Sequence, residues 1–262
     1  IDLVIVDLYP FEETIRSTKN EKEIIEKIDI GGISLIRAAA KNFNDVLCIS
    51  DKSDYDDLLK ILRKSGAQTT VDTRKKFAIK AFDVSSNYDT AIFNFFNKDN
   101  FIKSLKISSK DYTPLRYGEN PHQKGTFYGD LKKDLSQIHG KQLSYNNLLD
   151  IENAVSLISE FKKEEPTFGI LKHNNACGIS TKKTVSLAYK SALMSDPISA
   201  FGGVLIANTE IDFETAKLLK KLFFEVLIAP KFKKDVLEIL KEKKNLIILK
   251  NNISKKESLN YR

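Results

Sequence analysis

In the stretch TFGILKHNNACGIS, residues 167 to 180, an apolar run stops at Lys172 and His173, and asparagines, a cysteine and a glycine follow at once. A lysine and a histidine at the end of a buried strand suit acyl or formyl transfer to a weak nitrogen nucleophile. The imidazole takes the proton and the ammonium steadies the oxyanion of the tetrahedral intermediate, so no nucleophilic side chain is required. A plainer alternative stands beside it, an exposed lysine and a histidine bonded to backbone. Cys177, four positions after His173, could form a nucleophilic pair with it, or serve as small core filler.

Three further loops carry residues of the same kind. LRYGENPHQ (115 to 123) offers Arg116 as a bidentate phosphate clamp and Tyr117 as a surface for a heterocycle, against the alternative of a Gly/Pro turn. In DPISAFGGVLIAN, Gly202 and Gly203 let backbone approach a ligand. In DIGGISLIRAAAKN, Gly31 and Gly32 precede good helix formers, so unpaired N–H groups behind a flexible turn could cradle a phosphate, or mark a simple loop-to-helix junction. Metal chemistry is not indicated. The three histidines (His122, His139, His173) and two cysteines (Cys48, Cys177) have neither HExxH nor CxxC spacing.

Such loops need strands and helices to position them. Leu3 to Leu8 and Asp45 to Ser50 read as buried strands. Asn20 and Glu23 read as a capping pair for a helix over EKEIIEKI. A helix after Lys52 is stopped by Gly66, and residues 73 to 96 form a long helix with Phe77, Ala81, Val84, Tyr88 and Ile92 on one face. The polar, Lys/Ser-rich stretch 97 to 111 reads as a linker. Beyond it the alternation resumes, with strands at 125–130, 167–173, 200–208, 223–230 and 245–250 and helices between them. An α/β class with parallel strands follows, and Lys172 and His173 then lie at a strand's carboxyl end, where such sheets bind ligands.

The 262 residues suffice for two domains, and 42% hydrophobic with 29% charged residues is a globular composition. The net charge of +7 admits nucleic acid or small anions as partners. Most lysines alternate with acids along amphipathic helices, which favours solvated faces over a nucleic-acid site. No apolar run approaches the roughly 18 residues of a membrane span, and two separated cysteines fit a reducing cytoplasm. The first residues already read as a core strand and the last ones close no element, so we expect sequence to be missing at both ends.

Six motifs, LYPF, IDIGGISLIRAAAKN, LRYGENPHQ, LSYNNLLD, LKHNNACG and SDPISAFGG, occur in this order. Together they closely resemble the bifunctional purine-synthesis family in which AICAR formyltransferase is fused to IMP cyclohydrolase. The resemblance implies that residues 1–105 are the later part of a methylglyoxal-synthase-like parallel α/β layer carrying the cyclohydrolase. Residues 106–262 would be the first part of a formyltransferase domain, similar in fold to cytidine deaminases but without the zinc. It implies formyl transfer from the co-substrate 10-formyltetrahydrofolate to AICAR, giving FAICAR, and dehydrative closure of FAICAR to IMP. A homodimer with shared sites, and neither metal, nucleic acid nor membrane, is implied as well.

Carried over by motif, His173 would be the proton acceptor and Lys172 the transition-state stabiliser. Arg116, Tyr117, Gly202 and Glu225 would hold the AICAR ribonucleotide. For ring closure, Tyr9, Asp29 and Lys41 match the family site, with Lys41 as proton donor or acceptor and Val6, Asp7 and Ile30 lining the nucleotide. If 31 to 41 is one straight helix, Asp29 and Lys41 lie roughly 15 Å apart and can only bracket a ligand. Two positions depart from the family. Asp7 replaces an asparagine, adding a negative charge beside a phosphorylated ligand, and Ala176 replaces a proline after the Lys-His pair. The family's phosphate loop and VKTLHP segment would lie upstream of Ile1, and much of the folate pocket beyond Arg262. Neither site is then complete, and a non-catalytic nucleotide-binding module is the alternative; a basic nucleic-acid-binding protein rests on the charge alone.

Overall fold

The computed structural model describes residues 1–251. The chain divides into two compact units, Ile1–Ser109 and the residues from Lys110 onward.

In the first unit, β1 (Leu3–Ile5) ends three residues before the expected Leu8. Helices α1 (Phe11–Ser17), α2 (Glu21–Ile25) and α3 (Gly31–Lys41) follow, then β2 (Leu47–Ile49), which pairs parallel with β1. Asn20 caps α2, accepting from the Lys22 N–H at 3.2 Å and donating to Glu23 at 2.7 Å. The helix stops at Ile25, short of the expected Ile28. After a 3-10 turn at Lys52–Asp54, α4 (Tyr55–Ser65) closes on left-handed Gly66, and α5 (Val71–Phe96) starts on the Thr70 cap. Phe77, Ala78, Ala81, Ser85, Tyr88 and Phe95 form the buried face of α5. Ala78 and Ala81 meet Ile36, Ala40 and Cys48, while Phe11 inserts between Tyr88 and Phe95 with ring centres 5.9 and 5.8 Å away.

The second unit opens with the antiparallel pair β3 (Tyr112–Pro114) and β4 (Thr126–Tyr128). It continues through α6 (Leu131–Asp134), β5 (Leu135–His139), α7 (Tyr145–Ser159), β6 (Thr167–Lys172), β7 (Asn175–Thr181) and α8 (Val185–Ser195). The remaining elements are β8 (Val204–Ala207), α9 (Phe213–Leu219), β9 (Val226–Ala229), α10 (Lys234–Lys241) and β10 (Ile247–Asn251). Six strands make one sheet in the order β5-β10-β9-β8-β6-β7. Only β8, β9 and β10 run parallel; β6 is antiparallel to both neighbours and β5 to β10. The expected parallel alternation is therefore corrected, and the α/β class stands. After β6 the chain turns straight into a hairpin instead of a helix.

Successive residues of the central strands serve opposite faces, as the two-residue period of a strand requires. Leu205, Leu227 and Ile248 pack with Tyr189, Val236 and Leu240 of α8 and α10, while Ile206, Ile228 and Ile247 pack with Ile151, Ala154 and Ile158 of α7. Burial on both faces explains why these strands read as unbroken apolar runs. Among the described residues no helix is long and apolar enough to cross a membrane.

Tyr189 gives this core a pH signature. It is buried edge-on to Phe168 at 5.1 Å, and burial pushes its phenol up to about 12. In the unfolded chain a tyrosine ionises near 10. The neutral phenol therefore contributes stability fully below pH ~10, and the contribution is lost as pH rises from ~10 to about 12. Urea midpoints followed from pH 9 to pH 12 should fall less steeply in Tyr189→Phe; parallel curves would remove Tyr189 from the explanation.

Candidate active site

The start of α7 gathers the loops singled out above. Ser144 caps the helix in a reciprocal capping box, its Oγ accepting from the Asn147 N–H at 3.2 Å and its own N–H donating to Asn147 Oδ1 at 3.2 Å. The Leu143 carbonyl accepts from the Arg116 N–H at 2.8 Å, and the Tyr145 N–H donates to the Tyr117 carbonyl at 3.2 Å. Asn147 Nδ2 donates to Glu225 at 3.3 Å, and Asp150 Oδ1 accepts from the Asn174 N–H at 2.7 Å. One rigid helix end thus ties together the Arg-Tyr loop, the Lys-His turn and the carboxylate before β9.

Within this set, Arg116 folds back on its neighbour. Its Nη2 donates to the Tyr117 hydroxyl at 3.0 Å and its guanidinium carbon lies 4.7 Å from the ring centre. Its Nε is buried with no partner among the described residues. A buried donor left unpaired is costly, and a charge-assisted bond to an anionic oxygen is the strong way to satisfy it.

Lys172 and His173 lie at a hairpin tip, not at the carboxyl end of a parallel strand. His173 and Asn174 form the two-residue loop between β6 and β7, with φ of +50° and +66°. Positive φ at both positions is the type I′ turn that matches the twist of paired strands, and asparagine suits it. His173 is exposed, and its imidazole makes no hydrogen bond among the described residues. Lys172 Nζ donates to the Phe201 carbonyl at 2.7 Å, which brings in the third loop. There Gly202 has φ +75° and donates its N–H to the Phe223 carbonyl at 2.8 Å. At Gly203 a Cβ would sit 2.6 Å from the Leu171 carbonyl oxygen, so only glycine lets this loop lie against β6. Glu225 donates its N–H to the Gly203 carbonyl at 3.0 Å, and its carboxylate is 3.4 Å from Lys141 Nζ.

The Cys177 thiol does not support a nucleophilic pair. Burial, then the Asp196 charge, push its pKa up, so it stays protonated at neutral pH. Among the described residues no group of three metal-ligating side chains occurs.

In the first unit, Tyr9 and Asp29 meet. Asp29 Oδ2 accepts from the Tyr9 N–H at 3.4 Å and Oδ1 from the Gly32 N–H at 2.6 Å. The Asp29 N–H donates to the Tyr88 hydroxyl at 2.8 Å, which in turn donates to the Lys27 carbonyl at 2.7 Å. Gly31 and Gly32 are the first turn of α3, not a loop ahead of it, and the Gly32 N–H is taken by Asp29, which argues against an open phosphate cradle. A Cβ on Gly32 would lie 2.6 Å from Asp29 Oδ2. Ile30, at the helix start, is 74% exposed, and the Val6 N–H donates to the Ile49 carbonyl at 3.0 Å. The charge on Asp7 is partnered, with the Tyr55 hydroxyl at 2.7 Å and Lys52 Nζ at 4.0 Å. Lys41 is the exposed last residue of α3, one continuous helix of 11 residues. At 1.5 Å per residue it stands roughly 15 Å along the helix from Gly31, so it is not brought to Asp29.

Sequence reasoning assigned no role to Ser144, Asn147 or Asp150, although LSYNNLLD was among the ordered motifs. Its Ser-x-x-Asn start is a recognisable capping box, whereas the partners of Asn147 and Asp150 lie 78 and 24 residues away.

Two α/β units, the second gathering cationic, imidazole and carboxylate groups at one helix end, define the class of protein. Residues 39–262 match the model of the AICARFT/IMPCHase bienzyme family, and the chain belongs to that family. It is similar to the bifunctional purine biosynthesis protein PurH of Bacteroides thetaiotaomicron, 57% identical over 95% of this chain and 48% of the relative. The protein of the same name from Fusobacterium nucleatum is 44% identical over 99% of this chain and 52% of its own. The chain therefore spans about half the length of the curated relatives it matches. Among solved structures, the crystal structure of ForH is 37% identical over 37% of this chain and 50% of its own, with a TM-score of 0.31.

Proposed function

We propose that the chain contributes to the last two steps of IMP synthesis. Residues 1–105 supply part of an IMP cyclohydrolase of methylglyoxal-synthase-like fold, and residues 106–262 part of an AICAR formyltransferase of cytidine-deaminase-like fold. The observation that carries the reading is the convergence of Arg116, Tyr117, Lys172, His173 and Glu225 on the start of α7, in a chain of this family.

In the formyl transfer, the exocyclic amine of AICAR attacks the formyl carbon of 10-formyltetrahydrofolate. The new C–N bond places negative charge on the formyl oxygen, which the Lys172 ammonium stabilises. His173 takes the proton from the attacking amine and gives it to the folate nitrogen as the oxyanion collapses and the bond from the formyl carbon to that nitrogen breaks. Arg116 clamps an anionic group of the ribonucleotide through its unpaired Nε edge, Tyr117 stacks on the heterocycle and left-handed Gly202 lets backbone come close. Glu225, on its Lys141 and Asn147 supports, accepts from ligand donors.

In ring closure, the carboxamide nitrogen of FAICAR attacks the formyl carbon, and the former carbonyl oxygen leaves as water. Tyr9, Asp29, Val6, Asp7 and Ile30 line one end of the nucleotide, and Lys41 moves the proton from the far end of α3. The pairing of Asp7 with Lys52 and Tyr55 lowers the repulsion a phosphorylated ligand meets there. The whole protein works as a cytoplasmic homodimer without a metal. Supplied with AICAR and 10-formyltetrahydrofolate, it should form FAICAR and then IMP, and supplied with FAICAR alone it should form IMP. Absence of both conversions would overturn the reading.

A further inference from the structure

The turn that carries His173 is held in a conformation most residues avoid. Its φ values of +50° and +66° crowd the Cβ of any residue but glycine, even where histidine and asparagine tolerate them. Within a two-residue hairpin the ladder closes through the flanking Lys172 and Asn175, so the Asn174 N–H has no partner in the hairpin itself. Asp150 takes it, at 2.7 Å, from outside the hairpin. A second bond, Asn175 Nδ2 to the His173 carbonyl at 2.9 Å, braces the turn only from within. Asp150 is well placed to act as a fixed post. The adjacent Ile151 is 2% exposed in the core between α7 and the sheet, which sets the rotation of the helix, and the Ser144 capping box fixes its start.

Resting on the formyl-transfer reading, we infer that Asp150 is a positioning residue: its carboxylate locks the left-handed His173–Asn174 turn and thereby aims the His173 imidazole. The test uses the whole protein, with formyl transfer and ring closure assayed separately. Position 150 is half-buried on a helix, where alanine favours the helical state, so Asp150→Ala should fold and keep its ring closure. It should lose about 100-fold in kcat for formyl transfer, the scale of a misplacement near 1 Å, while KM for AICAR moves less than about threefold. Asp150→Asn, which keeps an acceptor oxygen, should retain most of the rate. Adding Asn174→Gly to Asp150→Ala should restore about tenfold, because glycine occupies positive φ without strain and needs less holding. Unchanged kcat in Asp150→Ala, or no recovery in the double variant, would overturn the inference. His173→Ala is run beside them: if it keeps full formyl transfer, the underlying reading fails, whereas a dead His173→Ala with a fully active Asp150→Ala rejects only the role of Asp150.

Discussion

Replacing His173 by alanine should lower formyl transfer by the whole protein about 10³-fold, within the range a positioned general base supplies, and leave closure of supplied FAICAR untouched. The expectation rests on the setting of the side chain. Its backbone is held by a type I′ turn, by Asp150 and by Asn175, while the imidazole itself makes no hydrogen bond among the described residues. A ring so placed is available to accept a proton. Lys172→Met should cost a comparable factor, because the ammonium tethered to the Phe201 carbonyl is the cation beside the same tip. Stopped-flow or steady-state assays with saturating AICAR would show the loss in kcat; a loss confined to KM would mean that both residues only bind.

The second large effect is structural. A Cβ at Gly178 would lie 2.1 Å from the Ala192 carbonyl oxygen and 3.1 Å from Ser195 Cβ, in the buried contact between β7 and α8. Neither partner is the far end of a flexible side chain, so strand and helix must separate. Overpacking of a core costs about 1–3 kcal/mol and occasionally more, and a clash with backbone belongs at the upper end of that range. Gly178→Ala should therefore lower the denaturant midpoint of the second unit and impair formyl transfer through the displaced hairpin, whereas Gly31→Ala, where a Cβ meets nothing within 4 Å, should do neither. Equal midpoints for Gly178→Ala and wild type would show that β7 does not lie against α8 as described.

These two positions also mark what could be seen in the sequence. The apolar runs at 204–207, 226–229 and 247–249 announced buried strands, and the amphipathic pattern of 73–96 announced α5, which starts two residues earlier at Val71. Strand direction was not visible, because a strand buried on both faces looks the same whichever way its neighbour runs. β7 escaped notice because NNACGIST mixes turn formers with small residues and is only partly buried, so its alternation carries no contrast. α1 lay behind Pro10, where only the paired acids Glu12 and Glu13 in its first turn gave a helix signal. Gly31 and Gly32 looked like a loop because the N-cap of α3 is the apolar Ile30, and the side chain that takes the Gly32 N–H is Asp29, one position earlier and already read as part of a site.

For the candidate site, residue types with special chemistry were legible, and the structure joins Arg116, Tyr117, Lys172, His173, Gly202 and Glu225 through one hydrogen-bonded set. The supports were not, since Asn147 and Asp150 act on partners distant in the chain. In the first unit the Tyr9 N–H donates to Asp29, while Lys41 stays at the other end of a helix that does not break.

The most direct measurement is calorimetric titration of the whole protein with AICAR, for wild type and for Arg116→Ala. Saturable binding, weakened about 10- to 100-fold in Arg116→Ala as expected for loss of a charge-assisted bond, would support the loops gathered by α7 as the nucleotide cradle. Equal affinity in the two proteins, or no binding by wild type, would contradict it.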